Sequence, residues 1–363
     1  MTKAVYEKLA DKLSSIGGSL PALKCREFFD LAEELFTPEE AELATNMPPN
    51  AVSAEVLAKD IGSDPKKVEK LLETMIDKGL VVSRDHGEVR IYSLMVLVPG
   101  IFEMQFMKGE VNDRARKLAR LFEDYFNAAN QHTATAPAGF TAFPFARVIP
   151  VEEEIPAGVE IHPYDRVSEY VSKADYIAVS ICYCRHHGEL LGNPCDKPKD
   201  VCMSFGPNAK FLDERGFARL VSKEEALEIF SRCEELGLVH CSSNIGNYID
   251  FICNCCGCHC GILRSIKNAA IPSMAASSGF IMTVDEDECI GCGACVDMCQ
   301  MDALTMEGDT VVRSQERCIG CGVCKSVCPT DALKLEPREG APVPPLNRQE
   351  FNVAMMSSLS QNR

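Results

Sequence analysis

The feature that most constrains this chain is a run of four cysteines that occurs twice near its C-terminal end. Residues 289–306 read CIGCGACVDMCQMDALTM and residues 318–335 read CIGCGVCKSVCPTDALKL, with ten of the eighteen aligned positions identical. Each copy spaces its cysteines as C-x2-C-x2-C-x3-C. Thiols this close in sequence are poorly placed for disulfide pairing and well placed to bind metal.

Cysteine usage in the rest of the chain supports the same interpretation. The chain has 363 residues and 20 cysteines, nineteen of which lie between Cys182 and Cys328. Disulfides would be expected in a small secreted protein, but this chain is large and begins with the charged segment MTKAVYEKLADKLSS rather than an export signal. We therefore expect a cytoplasmic protein whose thiolates hold metal clusters, in an organism or compartment low in oxygen.

The repeated region, residues 281–336, resembles the bacterial-type 2[4Fe–4S] dicluster ferredoxin domain, in which the fourth cysteine of each run ligates the other cluster. The resemblance implies that the first [4Fe–4S] cluster is bound by Cys289, Cys292, Cys295 and Cys328. It implies that the second is bound by Cys318, Cys321, Cys324 and Cys299. Paired C-x2-C motifs also bind zinc, but two complete runs favour iron–sulfur clusters. One position departs from the repeat, because Gln300 stands where the second copy has Pro329.

Eleven further cysteines lie in residues 163–280 at irregular spacings. We expect at least one further [4Fe–4S] cluster there, with Cys182, Cys184, Cys195 and Cys202 around one centre and the dense segment FICNCCGCHCGIL supplying a second. The candidate ligands are Cys182, Cys184, Cys195, Cys202, Cys253, Cys255, Cys256, Cys258 and Cys260. The alternative is a zinc site that uses some of these thiols with His186, His187 or His259. Cys25, Cys233 and Cys241 are interpreted as buried small hydrophobic residues.

The N-terminal region is helix-rich and nearly free of cysteine. Residues 53–61 predict a short helix, Asp64 and Pro65 open a second helix that Gly79 closes, and residues 80–94 predict a two-stranded hairpin. This order resembles a winged-helix domain over about residues 25–95. In a DNA reader the second helix would enter the major groove. Here its lysines are offset by acidic residues, so we favour a docking or dimerisation module.

Together these segments predict an α+β, multidomain chain. We expect a helical, winged-helix-like domain over residues 1–126, a Pro- and Ala-rich linker over 127–162 and a cysteine-rich α+β domain over 163–280. The dicluster ferredoxin-like domain follows over 281–336, and a Pro-rich tail over 337–363 is expected to be loose or bound to a partner.

Charge and hydropathy limit the partners. The formal net charge is −16, which disfavours nucleic acid and is compatible with docking onto a basic protein surface. No apolar run approaches the roughly 20 residues of a membrane-spanning helix. The acidic residues that flank the first cysteine run predict low reduction potentials.

These observations predict iron–sulfur electron transfer, by a non-catalytic subunit that exchanges low-potential electrons with a partner oxidoreductase in a complex. No dinucleotide-binding motif, phosphate loop or serine nucleophile elbow is recognised in the sequence. Two alternatives stay open. One is an oxidoreductase with a catalytic cluster in the middle domain and Arg185, His186 or His240 as proton donors, and the other is a redox-sensing winged-helix regulator. A C-x-C-R strand and an I-C-N-C-C run also resemble 4Fe–4S ferredoxin-domain proteins of anaerobic bacteria, which supports iron–sulfur chemistry.

Overall fold

The computed structural model describes residues 2–18, 20–133, 146–156, 162–269, 272–341 and 343–361. The helices and strands up to residue 133 are α1 (Thr2–Ser15), α2 (Arg26–Leu35), α3 (Pro38–Asn46), β1 (Val52–Ser53), α4 (Ala54–Ile61), α5 (Pro65–Asp77), β2 (Val81–His86), β3 (Val89–Leu94), α6 (Phe102–Phe106) and α7 (Asp113–Thr133). Those from residue 146 onward are β4 (Ala146–Ile149), α8 (Val167–Lys173), β5 (Ile177–Ile181), α9 (Tyr183–Leu190), β6 (Asp200–Phe205), α10 (Gly206–Glu214), β7 (Arg219–Leu220), α11 (Lys223–Glu235), β8 (Val239–Ser243), β9 (Phe251–Cys255), α12 (Gly261–Lys267), α13 (Pro272–Ala275), β10 (Phe280–Val284), α14 (Ala294–Met298), β11 (Leu304–Glu307), β12 (Thr310–Arg313), β13 (Leu333–Pro337) and α15 (Arg348–Gln361). The chain forms two compact units.

The first unit comprises the described residues up to 133 together with residues 183–194 and 211–218. Its core lies between amphipathic helices. On α2 the buried residues Phe28, Leu31 and Leu35 recur at helical spacing, so the helix presents one apolar face. The rings of Phe28 and Tyr125 meet edge to face at 5.8 Å, which joins α2 to the long helix α7.

The helix pair and hairpin predicted from residues 53–94 are found in this unit. Ser53 caps α4 by accepting the Val56 N–H at 3.3 Å, and Gly62 ends that helix at a φ of +67°. Asp64 caps α5 by accepting the Lys67 N–H at 3.0 Å. β2 and β3 pair antiparallel in a small sheet with the order β1-β3-β2. The likeness to a winged helix stays an expectation, since local elements alone do not establish it.

The second unit is built on a six-stranded antiparallel sheet with the strand order β4-β8-β9-β6-β5-β7. Its two faces differ in chemistry. On one face, His240 Nδ1 of β8 lies 2.6 Å from Asn254 Oδ1 and its Nε2 lies 2.9 Å from Glu234 Oε1. The His240 ring packs edge-on against Phe230 of α11. Because successive side chains along a strand point to opposite faces, the neighbouring Cys241 points to the other face.

The segment predicted to be a linker contains more regular structure than expected. α7 continues to Thr133, and β4 is an edge strand paired with β8. All four residues of β4 are buried. The Pro- and Ala-rich composition gives no strand pattern here. The pairing partner of β4 also lies about ninety residues later in the sequence, at positions 240–243. Residues 134–145 and 157–161 of this segment lie outside the described residues.

The predicted strand that carries Cys182 and Cys184 is shorter than expected. β5 ends at Ile181, where its pairing with β6 shifts register, and helix α9 begins at Tyr183. Cys184 therefore lies on a helix that belongs to the first unit, whereas Cys182 belongs to the second.

The C-terminal part of the second unit consists of two short antiparallel ribbons, β10 with β13 and β11 with β12. Backbone hydrogen bonds hold part of the tail in place, because Gly246 N–H donates to Pro345 O at 2.8 Å and Asn247 N–H donates to Leu346 O. In the described parts of the chain, no helix has the length and apolar character needed to cross a membrane.

Candidate metal centres

The two cysteine runs line two recesses of nearly equal size. Each recess takes three cysteines from one run and the fourth from the other. The cysteines of the first recess are Cys289, Cys292, Cys295 and Cys328. Those of the second are Cys299, Cys318, Cys321 and Cys324. Four soft thiolates around an apolar hollow suit a [4Fe–4S] cluster, and the exchange of the fourth ligand is the one expected for a two-cluster domain.

The rim of the first recess reaches the surface. Cys292 is exposed, and Ile290 beside it is 64% exposed. In the second recess Cys318 and Cys324 are buried, and burial raises the pKa of the Cys321 thiol. Cys292 is therefore the cysteine of the first recess that a partner could approach most closely.

The fourth cysteine of each run is met by backbone N–H groups from the turn that follows it. Asp302 and Asp331 occupy the matching position and both adopt a left-handed conformation, at φ +51° and +54°. The Ala303 N–H donates to Cys299 Sγ at 3.3 Å. Burial acts to raise the pKa of Cys328, but backbone hydrogen bonds, the first from Thr330, outweigh it and lower the pKa. Such donors stabilise a thiolate ligand.

Two glycines shape the cysteine loops. Gly291 and Gly320 occupy equivalent places in the two runs, at φ +68° and +67°. A Cβ on Gly320 would collide with the carbonyl oxygen of Phe280, and one on Gly291 would lie 2.5 Å from that of Asp309. Only glycine combines the backbone conformation with this close approach.

A second set of thiols lies within the six-stranded sheet. Cys241 of β8 pairs with Cys253 of β9, and the Met203–Ile252 pair places Cys202 of β6 on the other side of Cys253. Cys255 lies two residues beyond Cys253, on the same face of the sheet. The buried thiol row is defined by these residues and two neighbours that contact them: Cys182, Cys202, Cys241, Cys253, Cys255 and Cys260.

All six thiols of the buried thiol row are removed from solvent. The Sγ atoms of Cys255 and Cys260 lie 3.0 Å apart. Hydrogen bonds with Cys182 and Cys253, together with burial, hold the pKa of the Cys202 thiol well above its usual value. Contacts with Cys241, Cys253 and Cys260 do the same at Cys255. A positive metal centre would reverse these shifts and stabilise the thiolates.

A third set is compact and brings Cys195, which precedes β6, together with residues of the turn after β9. Among the described residues, one group of cysteine and histidine side chains brings all its ligand atoms within 4.8 Å of one another: Cys195, Cys256, Cys258 and His259. Cys195 Sγ lies 3.6 Å from Cys258 Sγ, and His259 Nδ1 lies 3.1 Å from Cys258 Sγ. Burial, followed by the nearby Cys256 and Cys195, raises the pKa of Cys258 to about 12. We call these four residues the Cys3His group.

The expected grouping of Cys182, Cys184, Cys195 and Cys202 around one centre is not the arrangement found. Cys195 lies with Cys256 and Cys258, whereas Cys202 contacts Cys182 and Cys253. The dense segment 253–260 is divided between both sets. Because side chains alternate along β9, Cys253 and Cys255 point to the same face of the sheet. In the turn after β9, Cys256 and Cys258 lie with Cys195 instead.

The three histidines considered as zinc ligands have different surroundings. His259 is part of the Cys3His group. In the first unit, His186 is buried with its ring nitrogens at Glu110 O and at the Glu189 carboxylate, and His187 Nε2 lies 3.0 Å from Ala119 O. Hydrogen bonds to the backbone explain the buried imidazoles of His186 and His187 without a metal.

The second recess and the buried thiol row are neighbours within the second unit. The Val151 N–H donates to Cys321 O at 2.9 Å. Val151 follows β4, whose Val148 pairs with Cys241. The Cβ position of Gly322, the residue after Cys321, also lies 3.4 Å from Val151 Cβ. The segment after β4 therefore joins the sheet that carries the row to the second recess.

Cys241, which was interpreted from the sequence as a small hydrophobic residue, lies among the candidate ligands of the middle cysteines. It is fully buried, as that interpretation requires, but it is also a member of the buried thiol row. The available signal was the alternating pattern of residues 239–243, which places Cys241 on one face of a strand. Its partner strand could not be read from the sequence.

Comparison with protein families finds a match over residues 282–335 to the 4Fe-4S dicluster domain. These residues, which contain both cysteine runs, form a dicluster domain, and the resemblance noted in the sequence is confirmed for this part of the chain. Comparison with curated proteins and with solved structures finds no match to the chain.

Proposed function

We propose that this chain is an electron-transfer protein with two [4Fe–4S] clusters in its dicluster domain and a third iron–sulfur cluster in the buried thiol row. The observation that carries the proposal is the hydrogen bond from the Val151 N–H to Cys321 O, because Val151 follows β4, the strand that pairs with Cys241 of the buried thiol row. Neighbouring clusters separated by a few residues of packed protein make a continuous route for electrons.

The span of the buried thiol row supports a cluster rather than a single ion. Adjacent strands lie about 4.8 Å apart, so Cys241 and Cys202, which lie on either side of β9, are separated by roughly 10 Å of backbone. Two sulfurs on one tetrahedral zinc ion are only about 3.8 Å apart at a Zn–S distance of about 2.3 Å. Thiols spread over three strands therefore suit a centre with several metal atoms, bound by four of the six.

Burial supports electron transfer over the catalytic alternative. A cluster that converts a substrate needs an iron open to that substrate, whereas all six thiols of the row are buried. His240, considered as a proton donor, points to the opposite sheet face and lies between Asn254 and Glu234.

The exposed rim of the first recess supplies the place for a partner. Cys292 and Ile290 lie at the surface, next to the exposed acidic residues Glu286, Asp287 and Glu288. We propose that an oxidoreductase with a basic, apolar docking surface meets this patch, so that low-potential electrons pass between it and the first cluster.

Metal analysis of the anaerobically purified chain tests the third cluster. Three [4Fe–4S] clusters carry about twelve irons, and the two of the dicluster domain carry about eight. We expect about twelve irons in the wild type and about eight in Cys253→Ser, with the electron paramagnetic resonance (EPR) signals of the dicluster domain retained. Cys233→Ser is the matched control, because Cys233 is buried on α11 and should leave the iron content unchanged. About eight irons in both the wild type and Cys253→Ser would overturn the proposal.

A further inference from the structure

The Cys3His group gathers all four of its ligand atoms in one place. The buried thiol row contains close pairs, such as Cys255 and Cys260 at 3.0 Å, but its thiols are spread over three strands. The four ligand atoms of the Cys3His group lie within 4.8 Å of one another, and the Cys195–Cys258 sulfur separation is 3.6 Å. Two thiolates on one tetrahedral ion with a metal–sulfur distance of about 2.3 Å lie about 3.8 Å apart. The four cysteines of a [4Fe–4S] cluster each bind a different iron, so their sulfur atoms lie farther apart than two thiolates on one ion. The observed spacing fits one ion.

The residue types identify the ion. Three cysteines and one histidine make up one of the closed ligand sets that proteins use for structural zinc. Soft thiolates with an imidazole suit zinc better than magnesium or calcium, which take oxygen ligands. Four protein ligands also fill a tetrahedral ion completely, leaving no position for a substrate.

We propose that Cys195, Cys256, Cys258 and His259 bind one structural zinc ion, separate from the iron–sulfur clusters. On binding Zn²⁺, the three thiols lose three protons and His259 binds through its neutral Nδ1, so the site carries a net charge of −1.

The zinc ion ties together chain segments that are distant in sequence. Cys195 precedes β6, whereas Cys256, Cys258 and His259 follow β9, so the ion closes a loop of more than sixty residues. Closing a long loop restricts the unfolded chain and stabilises the folded one. The same turn contains Gly257, whose N–H donates to Gln300 Oε1 at 2.8 Å, next to Cys299 of the second recess. The zinc site thereby fixes the turn that packs against the dicluster domain.

Metal counting and zinc K-edge X-ray absorption on the full-length protein, purified anaerobically, test this proposal. We expect one zinc per chain with three sulfur neighbours at about 2.3 Å and one nitrogen at about 2.0 Å. Cys258→Ser should lose most of the zinc and keep the wild-type iron content, whereas Cys233→Ser should keep both. His259→Cys should keep the zinc and change its neighbours to four sulfurs, a readout that does not depend on Cys258→Ser folding well.

Three results would overturn the zinc site. These are a wild type without zinc, zinc bound mainly by oxygen or nitrogen, or a Cys258→Ser variant that loses about four irons instead of zinc. Because zinc and iron are counted separately, the failure of this site and the failure of the third cluster are distinguishable.

Discussion

The side-chain oxygen of Gln300 accepts a hydrogen bond from the backbone N–H of Gly257 at 2.8 Å. Gln300 is the residue at which the first cysteine run departs from the second, since Pro329 occupies the matching position. Proline has no side-chain acceptor and could not make this hydrogen bond. Gln300 therefore joins the turn after Cys299 to the turn between Cys256 and Cys258.

Replacing Gln300 should therefore weaken the packing between these two turns. We expect Gln300→Ala to lower the free energy of unfolding by about 1 kcal/mol, because the Gly257 N–H loses its partner in a half-buried place. Anaerobic denaturant titration would measure this. Gln300→Glu keeps an acceptor oxygen at the same reach and should stay close to the wild type. Equal losses in the two variants would show that the hydrogen bond is not the cause.

Each cluster is expected to take three cysteines from one run and one from the other, and this arrangement makes a paired prediction. Cys289→Ser should remove the signal of the first [4Fe–4S] cluster and leave the second partly intact, and Cys318→Ser should do the reverse, because each cluster takes three ligands from its own run. EPR spectra of the reduced variants measure both. Two unchanged signals in Cys318→Ser would contradict the ligand assignment.

The cysteine loops should differ in their tolerance of a methyl group. Gly320→Ala places a Cβ against the carbonyl oxygen of Phe280, so we expect loss of the second cluster and of about four irons. Gly293 also has a positive φ, +74°, but nothing lies within 4 Å of its Cβ position. Gly293→Ala should cost only about 1–2 kcal/mol in backbone strain and keep both clusters. Iron and sulfide counts separate the two outcomes, and full iron content in Gly320→Ala would count against the loop geometry.

Arg338 should raise the reduction potential of the second cluster. Its guanidinium donates to Cys318 O at 2.8 Å and is half-buried, and that burial lowers the pKa of the arginine from its usual value. The arginine nonetheless stays protonated, since its usual pKa exceeds 12. A positive charge near a cluster favours the reduced, more negative state, so Arg338→Gln should lower the potential.

We expect that shift to be on the order of 50 mV, about a tenfold change for a one-electron couple. A redox titration followed by EPR measures it. Arg338→Lys retains the charge and serves as the control, and it should shift the potential much less. If the second cluster has the same reduction potential in Arg338→Gln and in the wild type, the charge of Arg338 has no effect on that cluster.

The N-terminal unit should not give the chain specific affinity for duplex DNA at physiological salt. On α5, the helix that would enter the groove, Lys67 is paired with Glu39 at 2.7 Å. Glu73 of the same helix pairs with Arg215 at 2.7 Å. These pairs neutralise charge that phosphate contacts would need. Electrophoretic mobility shifts with the full chain test this, and submicromolar, sequence-dependent binding would favour the redox-sensing regulator.

The parts of the structure that were predicted correctly depend on residues close together in the sequence. The capped helices after Ser53 and Asp64 were predictable because caps depend on residues three positions apart. The dicluster domain was predictable because its spacings are fixed within each run. The edge strand β4 was not predictable, because its pairing with β8 depends on residues far away in the sequence.

By itself, the sequence determined that cysteines dominate the chemistry of this chain and that two complete runs lie in a dicluster domain. Only the tertiary structure decided how the middle cysteines are divided. Cys202, Cys241 and Cys253 meet because three distant strands pair in one register, and Cys195 meets Cys258 across sixty-three residues. The side-chain alternation of a strand says which thiols share a face, but the register between strands is fixed by the packing of the whole sheet.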